Sequence, residues 1–258
     1  MDWSPLDIIT TDKYLSAFPQ DYYKMDAIHY DEAMDWRGSI HRPPSRTSRL
    51  IISGHSDFPI TEQIAHKYPF AVWFGVNKQT SGVRGLPLGI TNNTNESERH
   101  PIYGNVDMMV DVVSKPRDIK NIVYMNFSIE TYPIERGKVW NMFSNKDWVT
   151  VGNPENSMEG RRTFLENARN HQFVICPRGN GVDTHRLWET LYMGSIPIVI
   201  MDIAHTDWTD LPILFVNSWD DVTEEFLQKQ LYRIQNTSWN LKKLHVGYWI
   251  KHIQETVK

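Results

Sequence analysis

The densest run of chemistry-bearing side chains lies in residues 173–200, where Arg178, Gly179, Gly181, Asp183, His185, Arg186 and Glu189 follow one another closely. An apolar stretch at 173–176 reads as a buried strand that empties into a glycine-containing loop. A helix is expected over 183–193, ending at Gly194, a residue type favoured just past a helix. Free backbone N–H groups and the positive helix end then face whatever lies beyond the strand, a geometry that suits a diphosphate. Arg178 and Arg186 add charge-assisted contacts to phosphate oxygens, and Glu189, a helical turn beyond Arg186, is placed to accept from two ribose hydroxyls. A plainer reading stays open: the glycines make the turn, Asp183 caps the helix, and Arg186 and Glu189 form a solvated pair.

Other candidates also follow strand-like segments. Ser128, Thr131 and Arg136 come after an apolar run at 121–127 and are expected on a cleft rim, as phosphate contacts or as a capped helix start with a surface arginine. Asp57 follows the run at 50–54 and precedes Phe58-Pro59, so it is either a proton acceptor at the cleft mouth or the side chain of an Asx-turn. His55 is the alternate base and Glu62 a weaker one. Arg84 and the amide- and hydroxyl-rich stretch 86–93, with Asn92, read as an acceptor contact shared with His55, or as an ordinary surface loop. No metal site is expected: His55/Asp57 and Asp183/His185 have ligand spacing but too few converging oxygens, and Asp220-Asp221 reads as a helix N-cap. Cys176, the single cysteine, reads as an inert buried thiol.

These residues need strands to end beside them. Short apolar runs at 50–54, 70–76, 121–127, 148–151, 173–176, 196–201 and 213–216 alternate with helical patterns at 61–68, 136–143, 158–168, 183–193 and 222–231. That rhythm predicts an α/β protein of two Rossmann-like lobes facing a cleft, with parallel sheets whose ligands sit beyond the carboxyl ends of the strands. The charged, proline-bearing segment 114–118 sets the boundary: an acceptor-side lobe at 1–117, a nucleotide-binding lobe at 118–238, and a helix at 239–258 that bridges them.

Composition agrees with a folded core and narrows the function. The chain has 258 residues, 40% hydrophobic and 22% charged, with no fixed-period repeat. A net charge of -4 gives no global positive field, so no nucleic-acid partner is expected. One cysteine excludes an intrachain disulfide framework and points to a reducing compartment. The acidic, polar start and the lack of a long apolar run lead to the expectation of a soluble chain with no export signal and no membrane insertion, located in the cytoplasm.

The string Cys176-Pro177-Arg178-Gly179, then His185-Arg186-Leu187-Trp188-Glu189, then Gly194-Ser195-Ile196-Pro197-Ile198-Val199-Ile200 resembles the donor-binding region of exostosin-type glycosyltransferases (glycosyltransferase family 47), especially the short exostosin-like xylosyltransferases of large algal viruses. The resemblance implies a GT-B fold and a nucleotide-sugar donor, UDP-xylose for preference, held by the C-terminal lobe. It also implies transfer with inversion to a glycan hydroxyl; with no metal site in view the chemistry is expected to need no metal, no tightly bound cofactor is expected, and the setting is the host cytoplasm if the chain is viral. The family's arginine and glutamate carry over to Arg186 and Glu189, and transfer would need Asp57 or its alternates to deprotonate the acceptor. Two rivals stand beside it. One is a non-catalytic module that binds nucleotide sugar or glycan; the other is an NAD-dependent oxidoreductase, disfavoured because Thr184 stands where a third glycine is required.

Overall fold

The computed structural model describes residues 7–18, 27–29, 50–54, 57–94 and 98–257. In the first half, helix α1 (Thr11–Ala17) precedes strands β1 (Ala27–His29), β2 (Leu50–Ser53) and β3 (Ile60–Thr61), then α2 (Glu62–Ala65), β4 (Val72–Gly75), β5 (Lys78–Gln79), β6 (Arg84–Gly85), α3 (His100–Tyr103) and α4 (Val106–Ser114). The strands form a parallel sheet in the order β1-β2-β4-β6 and a separate parallel pair, β3 with β5. All four residues of β2 are buried, as expected of a strand covered on both faces. The helix expected over 61–68 is a single turn. Ile60 and Thr61 are taken up by pairing with Lys78 and Gln79, and Thr61 then caps α2 through the Ile64 N–H.

In the second half run β7 (Asn121–Met125), α5 (Pro133–Phe143), β8 (Val149–Val151), α6 (Met158–Arg169), β9 (His171–Ile175), α7 (His185–Tyr192), β10 (Ile196–Ile200), β11 (Leu214–Val216), α8 (Glu224–Gln235) and α9 (Val246–Thr256). The five strands make one parallel sheet in the order β11-β10-β9-β7-β8. Numbered from its own first strand, that order is 2-1-3-4-5 read from the β8 edge, so the direction of winding reverses between β7 and β9. In sheets of this kind ligands collect at the reversal, beyond the carboxyl ends of the two strands. Helix α7 stops where the sequence indicates, at Gly194, whose φ of 79° lies in the left-handed region that glycine enters without strain.

Two helix ends differ from expectation. Asp220 and Asp221 lie in a 3-10 turn, Trp219–Asp221, that Ser218 caps, and Thr223 is the residue that caps α8. The pattern at 241–257 is broken at His245, whose extended backbone separates a 3-10 turn, Leu241–Leu244, from α9, while the Val246 N–H goes to the Asp7 carbonyl at 2.8 Å.

The largest apolar cluster runs through both sheets, from Ile8 and Phe74 to Trp188, Trp208, Trp249 and Ile253. Helix α9 touches both sides of it, with Trp249 edge-on to Trp208 and His252 edge-on to Phe74. Among the described residues no helix is long and apolar enough to cross a membrane.

Candidate active site

Both sheets end at the same gap. A cavity of about 250 Å³ is lined from the first half by Asp57, Pro59, Thr61, Asn77 and Gln79, and from the second by Arg178, Val182 and Asp202. Asp57 follows β2, Asn77 follows β4, Arg178 follows β9 and Asp202 follows β10, so residues just past the carboxyl ends of four parallel strands meet there. Asp57 is exposed and lines this cavity together with Arg178. The Arg178 guanidinium lies over the Tyr132 ring at 4.6 Å and gives a 2.9 Å hydrogen bond to the Asn180 carbonyl, which fixes where its charge sits.

Arg136 joins the two loops that leave the reversal point. It reaches from α5 with Nη1 on the Ser128 carbonyl at 2.8 Å and Nε on the Arg178 carbonyl at 2.9 Å, and it is only 5% exposed. Burial, and after it the nearby Arg186 charge, pull its guanidinium down to about 10. Ser128 thus takes part through its backbone, while exposed Thr131 borders Gly179. Gly179 has no left-handed backbone; a β-carbon there would lie 3.3 Å from Arg136 Nη2, so its role is to let the loop pass close to that cation.

A second, smaller cavity of about 60 Å³ is lined among others by Asn126, Glu155, Arg161, Phe164, Arg186 and Glu189. Arg186 lies over the Phe164 ring at 5.7 Å, and its Nε is buried without a hydrogen-bond partner. Among the described residues neither Arg136 nor Arg186 has an ion-pair partner. Two cations at the head of a parallel sheet thus stand without a salt bridge among the described residues. Glu189 is different from expectation: it is 5% exposed and paired with the fully buried Arg161 at 2.8 Å through Oε1. Only Oε2 is left for any ligand, so it cannot accept from two hydroxyls with both oxygens free.

No protein-family model matches the chain, and no curated protein matches it. The site therefore rests on its own geometry.

Several expected contacts point elsewhere. Asp183 is 1% exposed; its carboxylate accepts from the Trp188 indole at 2.8 Å and from the Leu88 N–H at 2.8 Å, so it joins the two halves instead of presenting a helix start to a phosphate. Burial raises that carboxyl to about 7. Thr184 is the N-cap of α7. His185 donates from Nδ1 to the Gly89 carbonyl at 2.8 Å, and burial lowers its basicity, so it too is a contact between halves. Gly181 gives room to Asn77: a β-carbon would come within 2.7 Å of that side chain, whose Oδ1 accepts from the Asp183 N–H. Asn92 is buried against α1, where it bonds the Thr11 hydroxyl at 3.2 Å, and Arg84 stacks over Phe74; neither lines either of these two cavities. Glu62 is exposed in α2 beside His66, and His55 lies outside the described residues.

Asn77, Gln79, Asp202 and Arg161 were not anticipated. Asn77 and Asp202 stand just after strands, the position where ligand contacts are expected, and Asn77 carries a φ of 52°, uncommon for a non-glycine residue. Arg161 shares the buried face of α6 with Phe164, Leu165 and Ala168. A charge at an apolar stripe position is the signal that marks it.

Proposed function

We propose that the chain is a glycosyltransferase of exostosin-like, GT-B type, which moves a sugar from a nucleotide-sugar donor, UDP-xylose for preference, to a glycan hydroxyl. The observation that carries this reading is the pair of guanidiniums, Arg136 and Arg186, that have no ion-pair partner among the described residues, at the winding reversal of a parallel sheet, with an aspartate facing the gap from a second sheet. A diphosphate supplies the missing counter-charge, because its oxygens accept the donors that the protein leaves open.

In the step proposed, the acceptor O–H gives its proton to the Asp57 carboxylate as the oxygen forms a bond to the anomeric carbon. The carbon–oxygen bond to the diphosphate breaks, its electron pair stays on the phosphate oxygen, and Arg136, Arg178 and Arg186 stabilise the growing charge. Entry of the acceptor from the Asp57 side, opposite the leaving group, gives inversion. Arg136 also holds the two phosphate-side loops at fixed separation, which limits reorganisation during the step.

The test is a calorimetric titration with UDP and UDP-xylose together with a transfer assay on Asp57→Asn. Retained donor affinity with transfer lowered at least a hundredfold supports the enzyme. Wild-type protein that binds donor and never turns it over with any glycan acceptor supports the binding-module alternative instead.

A further inference from the structure

We infer that Asp202, steadied by Gln79 from the opposite half, reads the hydroxyls of the sugar being transferred, so that donor-sugar choice is made in the larger cavity and not at the nucleotide. This rests on the nucleotide-sugar reading above and goes beyond it.

Asp202 follows β10 and starts the 3-10 turn Ile203–Trp208 as its N-cap, accepting the Ala204 N–H at 2.9 Å through Oδ1. The same oxygen accepts from Gln79 Nε2 at 2.8 Å. Both bonds fall on one oxygen, which leaves Oδ2 and the Gln79 amide oxygen as acceptors without a protein hydrogen bond among the described residues, on two side chains that line the cavity. Acceptors that are fixed and idle call for hydroxyl donors.

The position is built, not incidental. Pairing of Ile60–Thr61 with Lys78–Gln79 sets the register, and alternation along a strand sends Lys78 and Gln79 to opposite sides. Lys78 pairs with Asp207 and Gln79 bonds Asp202, so both ends of one turn of the second half are held by one short strand of the first. A cavity of about 250 Å³ has room for a sugar ring. Arg178 completes the lining as a donor near the phosphate side, and Asp57 faces the acceptor side. A polar site that bonds a substrate hydroxyl discriminates strongly against analogues that lack it, because its own groups are then left unpaired.

The experiment titrates wild type, Asp202→Asn and Gln79→Leu with UDP, GDP, UDP-xylose, UDP-glucose and GDP-mannose. Asparagine is an equally good N-cap, so the first variant keeps the turn, and the second removes the brace without touching the carboxylate. The expected result is unchanged affinity for the free diphosphate, within about twofold, and at least tenfold weaker binding of its preferred sugar ester in Asp202→Asn, with a smaller loss in Gln79→Leu. Equal sugar-ester affinity in wild type and Asp202→Asn overturns the inference and leaves the glycosyltransferase reading standing, as does parallel loss of the free diphosphate. Wild type that binds none of the five overturns both.

Discussion

A buried guanidinium with no carboxylate beside it is costly unless a ligand or backbone carbonyls take its donors. Arg136, which is buried, and Arg186, which is half-buried with its Nε shielded, meet that cost differently. Arg136 spends two nitrogens on carbonyls and holds loops together, whereas Arg186 keeps its donors for the small cavity. Replacing Arg186 by methionine should therefore weaken UDP binding by about tenfold or more while the melting temperature changes little, since this half-buried charge has no salt bridge to lose. Arg136→Met should lower both UDP affinity and stability, the latter by ~2 kcal/mol for two charge-assisted bonds lost. Calorimetry and thermal melts of the two variants separate these roles; equal loss of stability in both would refute the distinction. The type and order of these residues were readable from the chain, but not Glu189's engagement by Arg161, because the partner lies a helix away and only folding brings α6 against α7.

At the level of elements, the strands and helices of the second half lie close to where hydrophobic spacing puts them. Local signals suffice there: β10 is wholly apolar, β9 closes on Phe173-Val174-Ile175, and Gly194 ends α7. They fail where pairing overrides them. The pair formed by β3 and β5 is only two residues deep, and nothing in Ile60-Thr61 or Lys78-Gln79 specifies that they meet. Two glycines test the difference between backbone and packing demands. Gly194→Ala meets no neighbour and should cost ~1 kcal/mol from its left-handed φ alone. Gly181→Ala drives a methyl into Asn77 and should both destabilise more and weaken donor binding, because it pushes apart the halves that frame the larger cavity. Denaturant melts and UDP-xylose titrations read the two effects; Gly181→Ala with unaltered affinity would argue that the cavity tolerates separation.

For the molecule as a whole, buried titratable groups between the halves give stability a pH dependence that can be signed. His205, enclosed near Trp208 and Phe215, is pushed by burial from 6.5 down to about 4. The unfolded chain thus takes a proton first, and stability is lost as pH falls from about 6.5 to about 4, by up to roughly 3 kcal/mol at ~1.4 kcal/mol per unit. His205→Phe should flatten that acid limb in melts taken between pH 7 and 4. Asp183 has the opposite sign: its carboxyl is raised by burial from 3.8 to about 7, so the folded state holds the proton longer and its contribution declines as pH climbs through that interval.

The Tyr192 hydroxyl accepts from the Ile9 N–H at 2.9 Å and donates to the Leu244 carbonyl at 2.8 Å, so one phenol ties together three stretches of chain that are far apart in sequence. During synthesis the first sheet leaves the ribosome long before Leu244 and α9 exist, and its apolar underside has nothing to lie against in the meantime. Maturation must then wait for residues 244–256, and nascent chains stalled before residue 244 should be clients of chaperones while those in which α9 has emerged are not.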